Sequence, residues 1–186
     1  MKNTIILITL FISLSISSQN KLPYYEIPDN TTENTAGSIA SRMIDGLGFR
    51  FYWATEGLET KDLLYQPTQE ARSTEATIDH ILDLSQVIVN AAENKPNGEK
   101  LPEMTFYQKR ARILKNLKKA SDLLKNETDL SDFKIIFGTK EFSFLNAING
   151  PIADAIWHTG QIASFRRSSG NPIPKGPRFL TGKVKK

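Results

Sequence analysis

The run Gly150-Pro151-Ile152-Ala153-Asp154-Ala155-Ile156-Trp157-His158-Thr159-Gly160-Gln161-Ile162, continuing through Arg166-Arg167 to Gly170-Asn171-Pro172, decides how the chain is read. Its apolar residues recur at three- and four-residue intervals, the mark of a helix. That helix is expected to begin near Ser143 or Phe144 and to reach Ser169, where Gly170-Asn171-Pro172 is a stop signal. Proline inside a helix lacks a backbone N–H and crowds the preceding turn, so Gly150-Pro151 predicts a kink or a break into two parts.

On a wheel of about 3.6 residues per turn, Ile148, Ile152, Ala155, Ile156, Thr159 and Ala163 form a core seam. Asp154, His158, Gln161 and Phe165 form a second stripe beside it, with Ser164 and Arg167 on the wetter side. Asp154 and His158 stand at i and i+4, roughly 5–6 Å apart at Cβ. A carboxylate and an imidazole one turn apart can meet a single ion, as in other helix-borne metal motifs.

The only other histidine, His80, lies upstream on a helix expected from about Gln69 to Asn94. Ile78, Ile81, Leu82, Ile88 and Val89 mark its core face, and Asp79, Asp83, Gln86, Asn90 and Glu93 its wet face. His80, in a row with Thr77, Leu84, Val87 and Ala91, borders the core and is placed to look into a groove between helices, where bundles build metal sites. Two histidines and a carboxylate with open positions serve both zinc hydrolysis and non-haem iron chemistry. The same residues admit plainer readings. His80 alone is read as a hydrogen-bonded packing residue, and Asp154–His158 as a surface pair contributing about 0.2–0.5 kcal/mol.

Two further helices complete the pattern. One runs from Thr35 to about Leu58, with Ile39, Met43, Leu47, Phe51 and Ala54 at helical spacing, Ile44 beside them, and Gly46 and Gly48 leaving room for a neighbour. The other runs from Thr105 to Asn126, its Ile113, Leu114, Leu117, Leu123 and Leu124 interleaved with Lys and Arg. Lys95-Pro96-Asn97-Gly98 stops the second helix, and Phe133 to Phe144 reads as a loop or short extended piece over one end of the molecule. Four such helices predict an all-α fold, an antiparallel four-helix bundle.

At 186 residues the chain suits one domain. Lys2 followed by apolar Thr4 to Ile16 and small Ser15, Ser17 and Ser18 has the layout of a secretory signal peptide over 1–18. It predicts an exported protein, periplasmic or extracellular, with no integral membrane span after cleavage; an uncleaved N-terminal anchor is the alternative. Residues 19–34 read as an extended lead-in, and 173–186 as a basic, solvated C-terminal tail. With a net charge of only +4 and no basic–aromatic module, no nucleic-acid partner is expected. The chain has no cysteine, which excludes a lipoprotein, disulfides and thiolate ligands, and leaves nitrogen and oxygen to hold any metal.

Beyond these patterns, the stretch 150–172 resembles the last helix of the DinB-like superfamily, in which an H-x-x-x-H pair precedes Gly-Gln-Ile and an Arg-rich stretch leads to Gly-x-Pro. The phrase from Ser73-Thr74 through Ile78-Asp79-His80-Ile81-Leu82 is similar to that family's second helix, and Tyr52-Trp53 leading to Glu56-Gly57-Leu58 to its first. The resemblance assigns 35–172 to a DinB-like bundle with a long crossover connection and a three-histidine metal site. His80 and His158 match two ligands, and Asp154 stands at the position of the third. An anionic ligand makes bound water less acidic than three neutral imidazoles would. The resemblance implies a divalent metal, zinc first, with nickel, iron and manganese open.

Members with known activity are metal-dependent thiol transferases and isomerases using low-molecular-weight thiols, and others are assigned as hydrolases. The expectation is therefore a metal-dependent hydrolase or thiol S-transferase acting on a small molecule. The alternative is a non-catalytic extracytoplasmic binding protein that keeps the bundle. Trp157, Gln161 and Arg166 or Arg167 are the candidate substrate contacts. Core packing is the plain alternative for Trp157, and a solvated helix end that for the arginines. A homodimer through outer helical faces would suit such a bundle, though nothing in the sequence specifies one.

Overall fold

A computed structural model of the chain describes residues 22–29 and 32–185; the signal-peptide reading of 1–18 lies outside the described residues. The fold is predominantly helical, with a few short strands. Four long helices carry it among the described residues: α1 (Ala36–Thr55), α3 (Thr74–Ala92), α4 (Phe106–Leu124) and α6 (Ala153–Ser168). The short helices α2 (Thr60–Leu63) and α5 (Leu145–Ala147) sit between them. None of these helices is long and apolar enough to cross a membrane.

The helix starts follow from side-chain caps. Thr35 and Ser38 close a reciprocal capping box on α1, Ser73 accepts from the Ala76 amide at 3.1 Å, and Thr105 and Gln108 close the box on α4. The cap at Ser73 is why α3 starts later than the periodicity from Gln69 predicts. The break expected at Gly150-Pro151 is present. Residues Ile148–Ile152 form a π turn in which Gly150 leaves helical geometry (φ −93°, ψ −109°), and α6 starts afresh behind it.

Each long helix packs against two others: α1 against α4 and α6, and α3 against the same pair. Ser41 meets Ser121 at 2.8 Å while Arg110 Nε donates to Thr55 Oγ1 at 3.0 Å, so α1 and α4 run in opposite senses. Lys109 reaches Asp79, Asn116 donates to Ser85 Oγ at 3.2 Å and Lys119 to Glu93 at 2.8 Å, so α3 and α4 run in the same sense. The connection over residues 93–105 must therefore return along the whole molecule. The 19-residue α4 is about 28 Å long, which extended chain at about 3.3 Å per residue covers.

That connection contributes β1 (Pro96–Asn97), which pairs in parallel with β2 (Lys134–Phe137). In turn, β2 forms an antiparallel hairpin with β3 (Lys140–Ser143) across Gly138, whose φ of +58° suits glycine in the turn. The β-prone segment is thus extended, as one of its two readings has it, and folded back as a hairpin.

The core is made of Ala40, Ile44, Leu47, Phe51 and Ala54 of α1, Ile78, Ile81, Leu82, Ile88 and Val89 of α3, Ile113, Leu114, Leu117 and Leu124 of α4, and Ile152, Ala155 and Ile162 of α6. Two positions assigned to it from periodicity stand outside, Ile39 (55% exposed) and Leu123. Both sit at the margin of an apolar stripe where no helix covers them. Of the expected seam, Ile152, Ala155 and Thr159 are buried and Ile148, Ile156 and Ala163 partly so, while Ile162 and Arg166 continue the buried row along α6.

The two terminal segments depart from expectation. The lead-in buries Tyr24 and Ile27, and the Tyr24 ring fills the space left by Gly48, where a Cβ would collide with it. The tail is folded rather than solvated. Strands β4 (Pro177–Arg178) and β5 (Lys183–Val184) pair, Ile27 N donates to Gly182 O at 2.9 Å, and Lys183 Nζ donates to Asp29 at 2.9 Å. With Phe179 against Phe49 (ring centroids 5.6 Å), tail and lead-in together cover a small cluster of Ile27, Phe49 and Trp53.

Candidate metal centre

The break at Gly150-Pro151 puts Asp154 in the first turn of α6, where a negative charge is favoured by the helix dipole. One turn later the same face presents His158. Across the groove, α3 presents His80 from the row bordering its core face. His80 Nε2 lies 3.0 Å from Asp154 Oδ2, and His158 Nε2 lies 3.3 Å from Asp154 Oδ1. The two imidazole rings meet edge to face with centroids 4.6 Å apart. All three side chains are half-buried, and one ligand atom from each lies within 4.8 Å of the others.

The two contacts go to different oxygens of the Asp154 carboxylate and are close to the spacing of donors around one ion. Donors bound tetrahedrally at about 2.0–2.1 Å stand about 3.3–3.4 Å from one another. The hydrogen bonding behind His158 points the same way. Its Nδ1 is 2.8 Å from Gln161 Oε1, and the amide oxygen can only accept, so Nδ1 carries the proton. In the neutral ring the Nε2 lone pair then faces the Asp154 carboxylate. Two electron-rich groups in that position need a cation between them, either a proton or a metal. Partial exposure leaves room for water or substrate on the open side, as catalytic rather than structural sites have.

Of the residues proposed as substrate contacts, the structure sorts three different ways. Gln161 is at the centre, orienting His158 from behind, the role outer partners of metal-binding histidines commonly fill. Trp157 is not a core residue. It is 71% exposed, its ring nearly parallel to that of His158 at 15° with centroids 6.4 Å apart.

Arg166 is a correction. It is 1% exposed and points into the molecule, donating to the carbonyls of Trp53 (2.9 Å), Ala54 (3.2 Å) and Glu56 (3.0 Å) and to Asn171 O and Oδ1. It caps the C-terminus of α1, whose last carbonyls lack partners of their own. It is neither a substrate contact nor a solvated helix end. Arg167 is exposed.

Two other polar residues escaped the sequence reading. Arg110 is buried, pairs with Glu56 and lies over the Tyr52 ring at 4.6 Å. Asp62, fully buried, accepts from Ser169 Oγ, from Asn171 Nδ2 at 2.6 Å and from the Glu59 amide at 2.9 Å. The one available signal was the capping phrase Glu59-x-x-Asp62.

No family model, curated protein or solved structure matches the chain.

Proposed function

We propose that this chain is an exported DinB-like protein, an antiparallel four-helix bundle with a long crossover, that binds a divalent metal through His80, Asp154 and His158 and uses it enzymatically. The observation that carries this is the convergence of the chain's only two histidines on one carboxylate, from two different helices, with one ligand atom of each residue within 4.8 Å of the others. Helix directions with α1 and α4 opposed, α3 and α4 aligned, and a return connection over 93–105 support the bundle reading.

Bound there, a divalent ion supplies the acidity that makes a thiol or water nucleophilic near neutral pH. The chain's own part is to hold the donors. Gln161 sets the His158 tautomer, the dipole at the start of α6 favours Asp154 as the anion, and the half-exposed groove admits a small substrate. A hydrolase and a thiol S-transferase both fit this arrangement. Zinc is the first choice for two imidazoles and a carboxylate, with nickel, iron or manganese as other occupants.

The deciding experiment is elemental analysis of purified protein after reconstitution at neutral pH, beside a His158→Ala variant. About one metal per chain, lost in the variant, is expected; a wild-type protein that stays metal-free sinks the reading.

One observation favours a binding protein without catalysis. All three side chains are half-exposed, which a site that binds without turnover also permits. Metal-dependent turnover of thiol, electrophile or ester substrates that His80→Ala abolishes would reject that alternative.

A further inference from the structure

Beside the three ligands stands a large side chain with no structural task. Trp157 is 71% exposed, and its indole NH has no partner among the hydrogen bonds described here. The other tryptophan, Trp53, is buried and donates to Tyr25 O at 3.2 Å, as such residues ordinarily do. One turn beyond Trp157 the helix surface is bare, because Gly160 is exposed and a Cβ there would meet nothing within 4 Å. The indole plane lies within 15° of the His158 plane, so a flat group laid on the indole is carried alongside the ligand ring toward the open side of the site.

The charges around this shelf narrow what it takes. Arg166, the guanidinium expected to meet an acidic group, is buried against the carbonyls of α1. Lys109, on α4, is held by Asp79 and Glu75. Asp79 is taken up by Lys109 in return. Arg167 lies ten positions beyond Trp157, about 15 Å along the helix. The shelf itself offers a ligand the face of the indole rather than a charge.

We infer that Trp157 is the wall of a substrate subsite that takes a planar aromatic group carried next to the donor atom that meets the metal. This rests on the metal reading above, and deepens it by naming the substrate class. Aromatic stacking of this kind contributes beyond area burial, and removing the indole removes it.

The test uses the purified protein loaded with cobalt(II), whose visible spectrum reports coordination, and three probes. Phenylmethanethiol carries the neutral ring, 2-mercaptoethanol lacks it, and 3-mercaptopropionate adds a negative charge. Metal content is measured first, in wild type and in Trp157→Ala; a wild-type protein without metal overturns both readings at once. In loaded protein, phenylmethanethiol is expected to bind at least about tenfold more tightly than either other thiol. Trp157→Ala should erase most of that preference at unchanged metal content, and Trp157→Phe should restore most of it. An unchanged preference in Trp157→Ala, a preference for 3-mercaptopropionate, or no probe binding to loaded protein overturns the subsite alone. So does a change of sedimentation in Trp157→Ala, which would make Trp157 an interface between chains.

Discussion

Helix α6 carries two polar clusters about two turns apart, and they are finished to different degrees. At its C-terminal end Arg166 has a partner for every nitrogen, and Asp62, Ser169 and Asn171 bind one another in the same buried knot. Near its start His80, Asp154 and His158 are half-exposed and leave a lone pair facing a carboxylate. A closed network fixes structure. An open one, held in place from behind, is available for chemistry.

The comparison breaks most visibly at Arg166. Arg166→Ala would strand three buried carbonyls and the Asn171 acceptors, and is expected to lose about 3 kcal/mol or more of unfolding free energy in urea titration. Asp154→Ala in metal-free protein should move the same measurement by less than about 1 kcal/mol, since its pairs are partly exposed. Equal losses would mean that both clusters are structural.

Metal should reverse the order of importance. At free zinc about a hundredfold above its dissociation constant, wild type should gain about 2.7 kcal/mol and a higher Tm, while His158→Ala gains nothing. Replacing the orienting residue is a smaller step. Gln161→Leu frees the His158 ring, and metal affinity should drop by about 10- to 100-fold in competition with a chelator.

The smallest effects are in pH. Burial opposes ionisation of Asp62, but the hydrogen bonds from Ser169, Asn171 and the Glu59 amide outweigh it and hold its carboxyl below the usual range. That stability is present above the unfolded value of about 3.9 and is lost as pH falls through the depressed folded value. Asp62→Asn should therefore flatten the acid limb of the stability profile. Asp45, which accepts from Tyr24 at 3.0 Å, is the opposite case, its carboxyl pushed up by burial. Its contribution is present in acid and lost as pH rises through the raised value, so Asp45→Asn should be better tolerated at pH 7 than at pH 4.

Local chemistry explains how much of this the sequence disclosed. The break at Gly150-Pro151, the helix extents within a few residues, the buried face of α3 and the Asp154–His158 spacing all depend on neighbours in the chain, and all were legible. The meeting of His80 with that pair depends on how α3 and α6 face each other, and helical wheels gave only its edge position. Arg166 was misread because its partners are carbonyls more than a hundred residues away. Basic residues at a helix end look alike whether they face water or another helix's last turn. The docked tail was hidden for a similar reason, since its few lysines and short strands carry no pattern until Ile27 and Phe49 are beside them.

The order in which the helices neighbour one another also has a consequence in time. The first helix scarcely touches α3, the long helix that follows it, and its partners are α4 and α6. As the chain emerges from the ribosome, α1 and α3 cannot close a core between them. Contacts between distant parts of a chain form slowly because the loops they close must be ordered first. A core joining α1 to α3 can therefore close only once α4 has been synthesised, and His80, Asp154 and His158 come together only when α6 follows.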